Sequence, residues 1–357
     1  MRHLLAAACL FLMATSASAQ TDIGAITRGM IEGHILPAYA TLVGVADQQV
    51  VATRQLCSAP SDDMLGAVQT QFGDLVEAWS AVEFIRFGPA KQDNRFERLF
   101  FWPDRNGRGL NQVQGVLATQ DESVTSIESL QGKSVALQGL LALDYVLFGT
   151  GFETLAAGDA HRCAYALAIS GAIADTAEQM LDSWTGSDGY AALMLAPGPD
   201  NAVYRSEDES LQELLRAMAE QLQIVHDAKI MRVAGNDTGE ARPRRAPFWR
   251  SGQALPNIIA NGQAMLSLNE AAGFAERLPE QARRYAGTAR FELGQIITRL
   301  SALDETGRDF ESIVTGEGTH GRFVSTALPL AGAMRIVGEV YPNELGLTMG
   351  FNSLDGD

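Results

Sequence analysis

The chain has 357 residues, of which 46% are hydrophobic and 20% charged, and its formal net charge is −16 at pH 7. This acidity disfavours nucleic acid and anionic membrane surfaces as partners, because both repel a strongly negative protein. The length is sufficient for two domains, each with its own hydrophobic core.

The N-terminal segment has the composition of an export signal. Arg2 and His3 precede a short apolar run at residues 4–13, and small residues end in Ala17-Ser18-Ala19. A charged start, an apolar run too short to span a bilayer and an A-x-A cleavage pattern are typical of a signal peptide. We therefore predict that residues 1–19 are removed, and that the mature chain has no transmembrane segment and is located in a bacterial periplasm.

Removal of the signal peptide would leave two cysteines, Cys57 and Cys163. In an oxidising compartment such a pair predicts a disulfide, which here would join the end of the first long helix to a helix about a hundred residues later. The alternative is a pair of buried free thiols.

Helical periodicity dominates the first part of the mature chain. Apolar residues at a spacing near 3.6 predict a long helix from Asp22 to about Gln55, which Pro37 should kink or break. Ser61 is the expected N-cap of a second helix, which Gly88-Pro89 should end. Residues 89–108 are expected to be irregular, and a short helix should follow.

The remaining elements are also predicted to be helical. The expected helices cover residues 134–148, 160–184, 206–225, 256–272, 280–303 and 326–339. Residues 185–205 are rich in Gly, Pro and Asp and mark the expected boundary between an N-terminal bundle, 20–190, and a C-terminal bundle, 191–357. Residues 235–253 should form a long surface loop. Because no period-2 pattern is sustained, we predict an all-α fold of two helical bundles packed side by side.

The segment from Gly139 to Gly149 is an almost entirely apolar helix with one carboxylate, Asp144. A carboxylate in such surroundings must be paired, protonated or bound to a cation. The candidate ionic partners in the sequence are Arg86, Arg105 and Arg162. As an ion-paired group, Asp144 would be a structural charge, and as a cation ligand it would form part of a binding site.

This segment resembles the signature of the imelysin-like family, which is a glycine, a spacer, a His, two spacers and a Glu. Gly139 matches, Leu141 stands at the His position and Asp144 at the Glu position. Other segments are similar to the family in order and spacing: Leu36–Tyr39, Trp79 with Glu83–Pro89, Phe101–Arg105, Arg162–Tyr165 and Gly350–Asp357. The last two look like an exported bacterial subfamily.

The resemblance implies a function linked to metals. In the family, the His and Glu lie one helical turn apart and can share a divalent ion, which is the basis of its metallopeptidase label and its proposed role in iron acquisition. Leu141 cannot bind a metal, and Asp144 is one methylene shorter than Glu. We therefore expect a non-catalytic periplasmic binding component with a ligand in the cleft near the signature helix. A divalent metal or iron could be held through Asp144. The expected cleft residues are Glu83, Arg86, Trp102, Arg105, Leu141 and Asp144.

Two alternative functions remain open. A metallopeptidase would follow from the family label, although no His-Glu-x-x-His pattern is present and the catalytic residues would be unknown. A protein-interaction module would follow from the basic stretch 242–250, which stands out in an acidic chain. That stretch could dock an envelope protein partner, or be a solvated loop that pairs with acidic helix faces.

Overall fold

The computed structural model describes residues 22–348, which contain helices and turns and no β-strand. The all-α prediction is confirmed. The longer helices are Ile23–Ser58, Asp62–Ser80, Arg108–Thr119, Gly139–Phe148, Ala160–Thr185, Glu207–Ile224, Ala254–Ala271, Arg283–Asp304 and Ala327–Arg335. The shorter helices are Arg95–Leu99, Ile127–Gln131, Tyr190–Leu195, Arg232–Ala234, Phe274–Arg277, Phe310–Thr315, Glu317–Val324 and Tyr341–Leu345. The predicted signal peptide, 1–19, and the segment 350–357 lie outside the described residues.

Two helical bundles lie side by side and share one continuous apolar core. In the first bundle, Leu36–Ser58 packs along Ala160–Thr185 and Asp62–Ser80. In the second, Ala254–Ala271 packs along Arg283–Asp304.

The first helix connects the two bundles, since its N-terminal part, Ile23–Met30, packs against Glu207–Ile224 of the second bundle. The helix Ala254–Ala271 also contacts Asp62–Ser80 of the first bundle. The domain boundary near residue 190 stays a prediction.

The first helix continues through Pro37 without a break. Residues Ile31–Ile35 form a π-helical turn immediately before it. Proline lacks an N–H group, and its ring clashes with the carbonyl four residues earlier in a regular α-helix. The wider π turn provides the space that the ring needs, so the predicted kink or break is replaced by a local change of helical pitch.

Two continuous helical stretches, Ile23–Ser58 and Glu317–Leu345, are long and apolar enough to cross a membrane. Both contribute fully buried side chains to the core, such as Tyr39 and Phe323. Core helices of globular proteins pass the same test of length and composition, so these two stretches are weak indications of a membrane span.

The second helix begins as predicted and ends earlier than predicted. The Ser61 Oγ accepts a hydrogen bond from the Met64 N–H at 3.2 Å, which confirms the N-cap. The helix ends at Ser80, and residues 81–84 form turns. These turns carry Glu83 into the protein interior, where its side chain is fully buried.

The loop expected at the surface, 235–253, is anchored in the protein. Its centre contains a short 3₁₀ turn, Pro243–Arg245, followed by the buried residues Ala246, Pro247 and Phe248. The Phe248 ring stacks on the ring of Phe100 with centroids 5.5 Å apart. Residues 242–250, called the basic loop below, therefore have a fixed backbone with arginines on either side of an apolar anchor.

Cys57 and Cys163 form the predicted disulfide, with their Cα atoms 5.6 Å apart and a sequence separation of 106. It fastens the end of the first helix to the helix Ala160–Thr185. Disulfides persist in oxidising compartments, so this bond is consistent with an extracytoplasmic location.

Candidate functional site

A cleft of about 610 Å³ lies between the signature helix Gly139–Phe148, the segment 101–110 and the basic loop. Ala228 and Arg232 from the second bundle complete its wall. The volume is within the range of small-molecule binding sites, and five aromatic side chains with several polar groups line it. The aromatic residues are Phe101, Trp102, Tyr145, Phe248 and Trp249.

The signature helix is fixed at both ends. Gly139 has φ of +73°, and a Cβ atom there would collide with the backbone carbonyl of Arg98, so glycine is required. At the other end, the Arg162 guanidinium donates hydrogen bonds to the carbonyls of Val146 at 3.0 Å and Thr150 at 3.1 Å. The Arg162 side chain therefore caps the C-terminal end of the signature helix by donating to carbonyl oxygens there, and Arg162 is not the ionic partner of Asp144.

Asp144 lies in the cleft lining, and its buried carboxylate is only partly satisfied by hydrogen bonds. Its side chain is 1% exposed, and its Oδ1 has no hydrogen-bond partner among residues 22–348. Its Oδ2 lies 4.0 Å from the Arg250 guanidinium. Burial raises the pKa of Asp144 to about 6, and hydrogen bonding to Ser251 and the Arg250 charge oppose this rise. The carboxylate is thus ionised at neutral pH, and one of its two buried oxygens lacks a hydrogen-bond donor among the described residues.

Arg250 is positioned by aromatic rings. Its guanidinium carbon lies 4.4 Å from the Trp249 ring centroid and 5.4 Å from that of Tyr145. Such cation–π contacts favour a cation that is partly removed from water. The ionic partner of Asp144 is thus Arg250 of the basic loop. The sequence had offered Arg86, Arg105 and Arg162 as candidates for this role.

The sequence matches the imelysin family model over residues 35–330. The chain belongs to the imelysin family. Two solved structures share its fold. An imelysin-like protein from Psychrobacter arcticum 273-4 has a TM-score of 0.73 and 19% identity, covering 92% of this chain and 97% of its own. A protein from Parabacteroides distasonis ATCC 8503, described as an iron-regulated protein A precursor, has a TM-score of 0.71 and 16% identity, covering 90% and 96%. No curated protein matches the sequence significantly.

This imelysin-family chain brings four of the six expected cleft residues together. Trp102 and Arg105 come from the segment that follows the short helix Arg95–Leu99. Leu141 and Asp144 come from the signature helix. Glu83 and Arg86 are not part of the lining. The lining also contains residues that the sequence did not place here, among them Tyr145, Arg232 and residues 244–250 of the basic loop.

Glu83 belongs instead to a closed polar network. The Lys229 Nζ donates to Glu83 Oε1 at 2.7 Å and Oε2 at 2.8 Å, and to the side-chain oxygens of Asn257 and Asn261. Lys229 lies on the π-helical turn Val225–Met231 of the second bundle, and both charged side chains are fully buried. This ion pair holds the end of the second helix against the C-terminal bundle.

The pKa values of the pair reflect that arrangement. Burial would raise the pKa of Glu83, but the charges of Lys229 and Arg86 outweigh it and hold the pKa below its usual value. Burial lowers the pKa of Lys229 to about 8, and Glu83 opposes this shift. The Arg86 guanidinium lies 3.5 Å from Glu83 Oε1 and 4.3 Å from the Phe96 ring centroid, which places it with the network.

The side chains around the cleft do not fit a metal ion bound directly by the protein. Residues 22–348 contain no group of three or more His, Cys, Asp or Glu side chains arranged to hold one. Leu141 has no atom that can bind a metal. Both Asp104 carboxylate oxygens already accept hydrogen bonds from the backbone N–H groups of Gly109 and Leu110. Asp144 alone would leave an iron or zinc ion without most of the ligands it requires.

Proposed function

We propose that this protein is an exported, non-catalytic binding component of iron acquisition, and that it holds a small ligand in the cleft beside the signature helix. The link to iron is supported by the family and by the iron-regulated protein A precursor that shares the fold. The disulfide supports a periplasmic location.

The carrying observation is Asp144 in the wall of the 610 Å³ cleft: its carboxylate is buried and ionised at neutral pH, and its Oδ1 has no hydrogen-bond partner within residues 22–348. A buried acceptor without a hydrogen bond costs about 1–3 kcal/mol. A ligand that donates an O–H or N–H group to Oδ1 recovers this free energy on binding. The atom is therefore suited to recognition of a bound molecule.

The chemistry of the lining favours binding over hydrolysis. A catalytic zinc site requires three protein ligands and an open position for water. The described lining residues include no His, Cys or Glu, and both Asp104 oxygens are hydrogen-bonded to backbone N–H groups. Because the protein does not supply a ligand set, iron would enter the cleft as a small organic chelate whose organic part contacts the protein.

Calorimetric titration of the mature chain with ferric citrate tests this proposal, with zinc and ferrous ions titrated separately. We expect ferric citrate to bind, and Asp144→Asn to weaken binding at least about tenfold, because a hydrogen bond to a charged group contributes about 1.5–3 kcal/mol. The exposed Asp188 lies outside the cleft lining, so Asp188→Asn should leave the affinity unchanged. Equal affinity of wild type and Asp144→Asn, or peptide hydrolysis by the zinc-loaded protein, would contradict the proposal.

A further inference from the structure

The charge of the cleft lining is opposite to that of the chain. The chain carries a net charge of −16, yet arginine is the commonest charged residue around the cleft. The charged lining residues are Arg105, Arg232, Arg244, Arg245 and Arg250, with Asp104 and Asp144. An excess of positive charge at one concave site raises the local concentration of anions there.

Four of these arginines have no carboxylate partner in the part of the chain that the structure describes. Within residues 22–348, the side chains of Arg105, Arg232, Arg244 and Arg245 form no ion pair, whereas Arg250 lies 4.0 Å from Asp144. The Asp104 carboxylate lies on the same wall but is hydrogen-bonded to backbone N–H groups. The cleft therefore presents guanidinium groups whose charge is not neutralised by pairing.

The backbone that carries these arginines is held in place. The Trp102 indole N–H donates to the carbonyl of Arg245 at 3.2 Å, and the neighbouring Phe248 is buried against Phe100. The Arg244 guanidinium lies 5.2 Å from the Trp249 ring centroid. These contacts distinguish the basic loop from a mobile solvated loop, because they fix where its charges stand relative to the cleft.

We infer that the ligand of the cleft is a small polycarboxylate whose acid groups pair with Arg105, Arg232, Arg244 and Arg245. This inference rests on the proposed function only in taking the cleft as the ligand site. A guanidinium group matches a carboxylate with two parallel N–H···O bonds. Several guanidinium groups distributed around 610 Å³ suit several separated acid groups better than one compact anion.

Asp144, on the wall of the same cleft, restricts the class of ligand further. The Asp144 carboxylate is ionised at neutral pH and repels any acid group placed beside it in the cleft. A polycarboxylate that also carries a hydroxyl group meets both demands, because the hydroxyl can donate to Asp144 while the acids meet the arginines.

Calorimetry with citrate and its neutral trimethyl ester tests the inference. We expect the mature chain to bind citrate and not the ester, and the double variant Arg244→Ala with Arg245→Ala to weaken citrate binding at least about tenfold, since charge-assisted bonds are lost. The exposed guanidinium groups should also make binding weaker at high salt. Arg242→Ala is the matched control, because the Arg242 guanidinium bonds to the Gly239 and Ala241 carbonyls and is outside the lining.

Three results would overturn the inference. They are equal binding of citrate and its ester, no binding of citrate at millimolar concentration, and unchanged citrate affinity in a double variant with wild-type circular dichroism. These results are separable from those that concern the proposed function. If the arginine variant loses citrate while Asp144→Asn binds ferric citrate like the wild type, the inference stands and the role of Asp144 fails.

Discussion

The described part of the chain contains two buried carboxylates, Glu83 and Asp144, and they are held in opposite ways. Glu83 is fully buried and receives hydrogen bonds from Lys229 to both of its oxygens. Asp144 is 1% exposed, and one of its oxygens receives no hydrogen bond from the residues that the structure describes. The same degree of burial thus serves a structural ion pair in one place and a candidate binding group in the other. The difference lies in the number of donors that the protein itself supplies.

The pKa values express this difference. The charges around Glu83 outweigh the effect of burial and lower its pKa, whereas burial prevails at Asp144 and raises its pKa to about 6. Ionisation of Glu83 stabilises the fold, while ionisation of Asp144 opposes it. A site that opposes folding when its ligand is absent fits a group retained for recognition.

The largest effect should come from opening the network around Glu83. Lys229→Met leaves Glu83 buried without its main partner, and breaking a buried pair in this way costs about 3–5 kcal/mol. Urea unfolding followed by circular dichroism would measure the loss. Lys91→Met, at an exposed lysine, should change the unfolding free energy by less than about 0.5 kcal/mol.

A loss below about 1 kcal/mol in Lys229→Met would mean that the network does not hold the two bundles together. The double variant Lys229→Met with Glu83→Leu should recover part of the stability, because an apolar pair of similar volume leaves no buried charge.

The second effect is a pH dependence of opposite sign at the two carboxylates. The folded pKa of Asp144, about 6, lies above its usual value of 3.8. Its stabilising contribution is therefore fully present below about pH 4 and is lost as the pH rises through 6, a change of about 3 kcal/mol. The folded pKa of Glu83 is lowered, so its contribution is present above its usual pKa of 4.5 and is lost on acidification.

The contribution of Asp144 can be isolated by measuring the unfolding free energies of wild type and Asp144→Asn by denaturant titration between pH 4 and 7.5. The difference, wild type minus variant, should fall by about 3 kcal/mol as the pH rises across this range. A difference that is constant with pH would show that Asp144 is not shifted by burial.

The sequence predicted the parts of the fold that depend on local chemistry. The all-α class, the N-cap at Ser61 and the Cys57–Cys163 pairing are confirmed. The signature helix was also located from its apolar composition, although it begins at Gly139 and not near 134. Each of these features depends on a short segment or on residue identity alone.

The remainder of the site depends on contacts between distant segments. Lys229 meets Glu83 across 146 residues, and no local pattern in the chain identifies that partner. A weak signal was present, since Lys229 lies four residues from Val225 and from Val233 on an otherwise apolar helical face. The run Ala246-Pro247-Phe248 could likewise have indicated that the basic loop is anchored in the core.

The most direct test of the role of Asp144 compares citrate with tricarballylate, which has the same three acid groups and lacks the hydroxyl. Calorimetry on wild type and Asp144→Asn would give four affinities. We predict that wild type prefers citrate by about tenfold or more, as expected for one hydrogen bond to a charged acceptor, and that the preference disappears in the variant. Equal affinities in wild type, or a preference that persists in Asp144→Asn, would contradict the account.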